Sequence, residues 1–323
     1  MKERWQVMSD MAIEFPSQKY NGQIKTITLG DGSNAVSVGR ENCFPFYLFE
    51  GNMPNSPRIA MEIYDLPPTN WPATLLQPFA DVIDDPLVWA QKCVNEFGAE
   101  MLCLKLVSTD PNGENKGAEQ AAATVKRVAA GIDVPLIVWG TANRDKDSAV
   151  LKLVCETCQD KPLIIGPVEE GNYKSITPAA VNNGHIIVAS SSMDINLAKQ
   201  LNILLANSGV PTDKILIDPT VSSIGYGIEY CYSVIERIRL AAITQADDKL
   251  AYPIVLNIAE ETWKTKEANT LEDCENKTGA PNKRGIMFEA MSAWLLLLAG
   301  GDIAIMRHPE AISLVAEMLR DLQ

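Results

Sequence analysis

Two ionisable side chains interrupt otherwise apolar runs in this 323-residue sequence: Glu62 in Ala60-Met61-Glu62-Ile63, and Lys105 in Cys103-Leu104-Lys105-Leu106. A lone buried charge is costly, so neighbouring strands carrying these residues should pair them. The other reading of Lys105 is a Schiff-base nucleophile of the aldolase kind, with a lowered pKa. Cys155-Glu156-Thr157-Cys158 has the spacing of metal ligands, yet no second cysteine pair or histidine accompanies it. It also falls inside a helical stretch, where packing is the better reading and a zinc or iron–sulfur site held by this chain is not expected. His185 and His308 are the only histidines, which excludes a Ser-His-Asp triad and a multi-histidine metal site. There is no P-loop and no Gly-x-Gly-x-x-Gly after a strand.

A third feature is the run Asp218-Pro219-Thr220-Val221-Ser222-Ser223-Ile224-Gly225-Tyr226-Gly227, which opens a long helix. Its small residues let backbone approach a ligand closely, and its free N–H groups suit a phosphate or an amide. By itself this is a weak signal, since loops entering helices are often rich in Gly and Ser.

The elements that must position these groups alternate along the chain. Short, near-continuously apolar runs at 58–64, 101–107, 135–139, 162–165, 185–189, 214–217, 253–256 and 302–306 read as strands covered on both faces. Between them lie helical stretches at 86–97, 117–130, 145–159, a short one near 178–182, then 195–207, 228–243, 284–299 and 310–322. Glycines 98, 131 and 209 follow three of these and read as left-handed helix stops. The last helix shows Pro309 at its first turn and Ile312, Val315, Leu319 and Leu322 along one face. Eight strands each followed by a helix is the count of an α/β (β/α)8 TIM barrel, with an open doubly wound sheet as the alternative. Residues 1–57 stand outside the alternation. Within them, 24–29 and 35–38 flank Gly30-Asp31-Gly32-Ser33-Asn34 and read as a β-hairpin, a device suited to plugging the bottom of a barrel. The expected organisation is an N-terminal extension, 1–57, capping one barrel domain, 58–323.

Barrel sites lie at the C-terminal ends of the strands. The residues there are Asp65, Ser108 and Asp110, Thr141 and Asn143, Gly166, Ser190 to Ser192, Asp218 and Thr220, Asn257 and Glu260, and Arg307 with His308. Each alone reads as a cap or loop hydrogen bond. As a ring they outline a polar mouth able to take a large polar ligand.

Composition narrows the partners. With 28 basic against 41 acidic side chains, the net charge of −13 argues against nucleic acid and anionic membrane surfaces. The start of the chain lacks the apolar core of a signal peptide, and the most apolar stretch, 290–301, is too short for a bilayer helix. Seven scattered cysteines, an odd number, point to a reducing cytoplasm rather than a disulfide framework.

Longer stretches carry a resemblance. Asp218-Pro219-Thr220 leading to Gly225-Tyr226-Gly227-Ile228-Glu229-Tyr230, and Asn282-Lys283-Arg284-Gly285-Ile286-Met287-Phe288-Glu289-Ala290 leading to Met306-Arg307-His308-Pro309-Glu310-Ala311, resemble the small subunit of the corrinoid iron–sulfur protein. Ile59-Ala60-Met61-Glu62 and Cys103-Leu104-Lys105-Leu106 fit the same pattern, and the resemblance runs from about Phe15 to the end. It implies a barrel subunit in a heterodimer whose large subunit carries a 4Fe–4S cluster and the corrinoid (cobalamin) domain. Methyl passes from methyltetrahydrofolate, through a separate methyltransferase, onto cobalt and then to acetyl-CoA synthase, and the small subunit's mouth covers and protects the corrinoid. On that implication Asp65, Ser190, Asp218, Thr220, Gly225, Gly227, Asn257 and Arg307 face the corrinoid, with catalysis by this chain alone not expected. The chain also resembles pterin-binding barrel methyltransferases, which hold the pterin with Asp and Asn at strand ends. Asp218 and Asn257 stand at such ends, so an enzyme acting on methyltetrahydrofolate is the alternative.

Overall fold

The computed structural model describes residues 16–270 and 279–322. Cys274 and the extreme N-terminus, part of the sequence reading, lie outside the described residues. The chain begins with an antiparallel hairpin, β1 (Ile27–Leu29) and β2 (Val36–Val38), turned by a short 3-10 segment at Gly32–Asn34. The alternation follows: β3 (Arg58–Tyr64), α1 (Pro86–Asn95), β4 (Met101–Lys105), α2 (Ala118–Ala130), β5 (Leu136–Trp139), α3 (Arg144–Thr157), β6 (Ile164–Val168) and α4 (Tyr173–Asn182). It continues with β7 (Ile186–Ser190), α5 (Ile195–Asn207), β8 (Ile215–Asp218), α6 (Ile228–Thr244), β9 (Val255–Asn257), α7 (Ile258–Trp263), α8 (Pro281–Ala299), β10 (Ile303–Met306) and α9 (Pro309–Asp321).

All eight strands from β3 onward are parallel, in the order β8-β7-β6-β5-β4-β3-β10-β9. The two ends meet through a parallel bridge between Ile217 and Ile254, where Ile217 N–H donates to the Pro253 carbonyl at 2.9 Å. The ring is nearly closed, as the strand count led us to expect.

Side chains that point inward form one packed cluster. It contains Ala60, Met101, Cys103, Ile137, Trp139, Ile164, Ile186, Val188, Leu216, Val255, Ile303 and Ile305. Ile27, Leu29 and Val38 of the hairpin are buried in that same cluster. The alternate side chains, Met61, Ile63, Leu102, Leu104, Val138 and Ile165 among them, pack outward against the helices. Buried Arg239 of α6 ties the extension to the barrel, reaching Asp302, the Gly300 and Tyr252 carbonyls, and Glu41 at 3.4 Å.

Local chemistry moves several boundaries. The fourth helix starts at Tyr173 and carries Pro178 inside it, so the proline marks its middle and not its start. β6 begins later than expected and runs through Gly166-Pro167, with a register shift against β7 where Pro167 has no N–H to give. Gly98 and Gly209 adopt the left-handed conformation expected of helix stops. Gly131 does not (φ −100°). A Cβ there would meet the end of the half-buried Leu87 side chain, 2.3 Å from Cδ1, which would have to move aside. On α9, Val315 and Leu319 are buried as the pattern required, while Leu322 is exposed.

Candidate functional site

Side chains alternate along a strand, so counting in twos from the buried inward residues identifies what reaches the mouth. From Ala60 the count gives Glu62 and Tyr64, from Cys103 Lys105, and from Val188 Ser190. Leu216 leads to Asp218, Val255 to Asn257, and Ile305 to Arg307 just past β10. Seven polar or ionisable groups therefore line the C-terminal end of the barrel, in two unlike halves.

The half around β3, β4 and β10 is charged. Glu62 is fully buried, and Arg307 Nε donates to its carboxylate. Arg307 also donates through Nη2 to the Tyr64 hydroxyl at 2.6 Å, and its guanidinium lies 5.0 Å from the Tyr64 ring and 5.1 Å from that of Trp71. Lys105 Nζ reaches Glu260 Oε2 of α7 at 2.5 Å. The expected Glu62–Lys105 pair is thus replaced by two others. In register, Glu62 stands opposite Cys103 and Lys105 opposite Tyr64, and β10 on the other side brings Arg307 to Glu62. Burial pulls the Lys105 pKa down, but Glu62 and Glu260 overcome it and leave the ammonium above its ordinary range. Such a lysine is a poor Schiff-base nucleophile. Burial acts the opposite way on Glu260, where Lys105 prevails and holds the carboxyl below its usual range.

The other half carries hydroxyl and amide groups around one acidic side chain, Asp218. Ser190 and Asp218 lie side by side across the β7–β8 ladder. Asp218 accepts the Thr220 N–H at 2.9 Å, and burial pushes its carboxyl up to about 6. Thr220 holds a left-handed backbone (φ 56°), and its hydroxyl donates to the Ser191 carbonyl at 2.6 Å. Asn257 pairs in register with Ile305, and its buried Oδ1 has no hydrogen-bond partner among the described residues. Beside this half opens a cavity of about 420 Å³ lined by Ser190, Ser191, Ser192, Thr220, Met193, Leu197, Leu201, Arg144, Glu169 and Glu170.

The remaining expected residues lie off the barrel axis. Asp65 accepts both the N–H and the hydroxyl of Ser108, stitching the ends of β3 and β4 together. Gly225 and Gly227 have left-handed backbones (φ 79° and 95°) in the loop that enters α6. That loop leans outward: Ile224 N–H donates to Ser292 of α8, and the Tyr226 hydroxyl donates to Glu267. His308 caps α9 by accepting the Glu310 N–H, while His185 is buried at the other end, accepting from Leu163 N–H. Among the described residues no group of three or more His, Cys, Asp or Glu could hold a metal ion.

Sequence reasoning missed Glu289, Tyr64 and Trp71. Glu289 lies fully buried in α8 and accepts the N–H of Arg307 at 2.6 Å and of His308 at 3.0 Å, fixing the strand end from which Arg307 projects. Burial pushes its carboxyl up to about 7. A lone acidic residue in the most apolar helix was the available signal.

Comparison with known proteins follows the fold and the sequence separately. A family model described as CO dehydrogenase/acetyl-CoA synthase delta subunit matches residues 26–320. The acetyl-CoA decarbonylase/synthase complex subunit delta of Archaeoglobus fulgidus is 32% identical over 317 residues, covering 94% of this chain and 70% of its own length. The same-named subunit of Methanocaldococcus jannaschii is 30% identical, covering 96% and 76%. Among solved structures, dihydropteroate synthase from Yersinia pestis with a pterine-sulfa conjugate superposes with a TM-score of 0.55 at 13% identity, covering 82% of this chain and 94% of that one. The enzyme from Thermus thermophilus gives 0.54 at 14%, covering 87% and 98%. These structures share the barrel fold.

Proposed function

Because the chain belongs to the CO dehydrogenase/acetyl-CoA synthase delta subunit family, the small subunit of the corrinoid iron–sulfur protein, we propose that its barrel mouth covers a corrinoid held mainly by a larger partner subunit. The observation that carries this reading is the half of the mouth that is rich in hydroxyl and amide groups. A corrin is broad and flat with peripheral amides, and such groups need hydroxyl, amide and backbone partners rather than fixed charges. Ser190, Thr220 and Asn257 are of that kind, the Asn257 carbonyl oxygen having no hydrogen-bond partner among the described residues, and Asp218 stands beside them with a carboxyl about half protonated near pH 6. When bound, the corrinoid supplies the cobalt that carries a methyl group. Asp65, Gly225 and Gly227 belong to the rim of this cover, Asp65 by fixing the β3 end and the two glycines by keeping the β8–α6 loop small. Arg307 contributes indirectly: its pairing with buried Glu62 fixes a charged group at the inner end of the mouth.

The same reading supplies the cytoplasmic partners: a large subunit carrying the 4Fe–4S cluster, a methyltetrahydrofolate methyltransferase, and acetyl-CoA synthase. Assembly is supported by the relatives' description as complex subunits and by apolar side chains left at the surface. Met287, Met291 and Leu295 recur every fourth residue on α8, and Tyr226 and Tyr230 stand exposed at the entry to α6. No helix among the described residues is long and apolar enough to cross a membrane. The test is to purify the native protein and look for a larger, cobalt-containing chain. Co-elution of cobalt with that chain is expected; elution of this chain alone in every preparation overturns the reading.

The second reading, a barrel methyltransferase acting on methyltetrahydrofolate, is supported by Asp218 and Asn257 at adjoining strand ends. It requires the isolated chain to bind methyltetrahydrofolate and transfer its methyl group.

A further inference from the structure

The charged half of the mouth holds two cations, and they are not held alike. Arg307 is locked: Glu62 is wholly buried, Tyr64 takes a second N–H, and two aromatic rings flank the guanidinium. Lys105 is nearly as buried, its side chain 9% exposed, yet the one carboxylate within ion-pair distance of it among the described residues is the outermost group of the cluster. Glu260 is 42% exposed and projects from α7, a helix of only 6 residues. An ion pair with one end in solvent is weakly held, whereas a buried ammonium left bare is strongly disfavoured. Glu62 and Glu260 both compensate the ammonium, so the departure of Glu260 removes part of that compensation, which an arriving anion restores. A lysine offers three donors, and Glu260 accepts one of them.

We propose that Lys105, with Arg307 behind it, forms a binding site for a small oxyanion, a carboxylate or a phosphate group, and that Glu260 is the internal occupant which the ligand displaces. Both cations project from inward strand positions, so the anion enters through the barrel mouth and comes to rest on the charged side of Asn257. The four charges Lys105, Arg307, Glu62 and Glu260 balance in the free chain. With Glu260 turned out to solvent, the inner three carry one net positive charge, which one anionic group neutralises. This site rests on the chain's own charges and not on corrinoid binding, so its failure leaves the proposed function untouched.

Isothermal titration of the full chain with inorganic phosphate, and separately with acetate, at constant ionic strength tests the proposal. Glu260→Gln and Glu260→Ala should each bind one of the two probes roughly tenfold more tightly than wild type, because an internal competitor lowers apparent affinity by the fraction of open sites. The pair Lys105→Met with Glu260→Gln removes both charges, leaves no buried ammonium uncompensated, and should abolish that binding while the circular dichroism spectrum is kept. Tighter binding of phosphate than of acetate assigns the site to a phosphate group, and the reverse assigns it to a carboxylate. Unchanged affinity in both Glu260 variants overturns the proposal, as does binding by the double variant equal to that of Glu260→Gln.

Discussion

Arg307 keeps its charge inside the barrel because fully buried Glu62 keeps the opposite one there and accepts from its Nε. Replacing Arg307 with Met should therefore cost about 3–5 kcal/mol of stability, most of it the penalty of a bare carboxylate. The double variant Arg307→Met with Glu62→Met should recover much of that loss in urea denaturation; equal losses in single and double variants would contradict the pairing. Asp218 makes a different prediction, in pH. Burial pushes its carboxyl up to about 6, so the folded chain retains a proton that the unfolded chain, at the ordinary value of 3.8, has already lost. The ionised group opposes folding above about pH 6, opposes it less as the pH falls toward 4, and not at all below that. Asp218→Asn should accordingly stabilise the chain by up to about 3 kcal/mol at pH 8 and by almost nothing below pH 4, read from denaturation midpoints across that range. Which residues reach the mouth was legible in the sequence, because strand ends and their alternation are local. Which charges pair was not: Arg307 and Glu260 come from β10 and α7, far along the chain from Glu62 and Lys105.

At the scale of elements, the loop between β8 and α6 couples the mouth to the outer helices. Thr220 at its start bonds the Ser191 carbonyl, and Ile224 further along bonds Ser292 of α8. Between that anchor and α6, Gly225 has open space around the position of a Cβ, but its φ of 79° strains any other residue. Gly225→Trp should leave the barrel folded, at a cost of roughly 1–2 kcal/mol for the left-handed backbone. In the assembled heterodimer the bulky side chain on the rim should speed oxidation of Co(I), measured against wild type by the loss of its absorption. Equal rates would remove this loop from the proposed cover. Most elements were legible because each strand is a short apolar run and each helix has a marked end. The exceptions have local causes. Pro178 is tolerated within α4 and hid its first turns, and Gly131 ends its helix without the left-handed backbone that a glycine stop suggests.

Over the whole molecule, the N-terminal extension and the barrel share one core. Ile27, Leu29 and Val38 are buried in the same cluster as the inward residues of β3 to β10, and Glu41 joins the buried Arg239–Asp302 pair beneath them. A boundary drawn at residue 57 therefore separates a repeat from its plug, two parts of different sequence pattern that share a single hydrophobic interior. If the plug were a loosely attached appendage, truncating one of its side chains would leave the barrel's stability unchanged. Leu29→Ala should instead lower the stability of the entire chain by about 2–5 kcal/mol, the usual cost of a buried leucine whose cavity cannot fully collapse. The loss should appear as one cooperative transition, with far-ultraviolet circular dichroism and tryptophan fluorescence shifting together, since five of the six tryptophans, Trp71, Trp89, Trp139, Trp263 and Trp294, belong to the barrel unit. An early transition confined to one probe would mean that the hairpin folds apart from the barrel. The base would then contribute nothing to holding the strand ends at the mouth, about one strand length away.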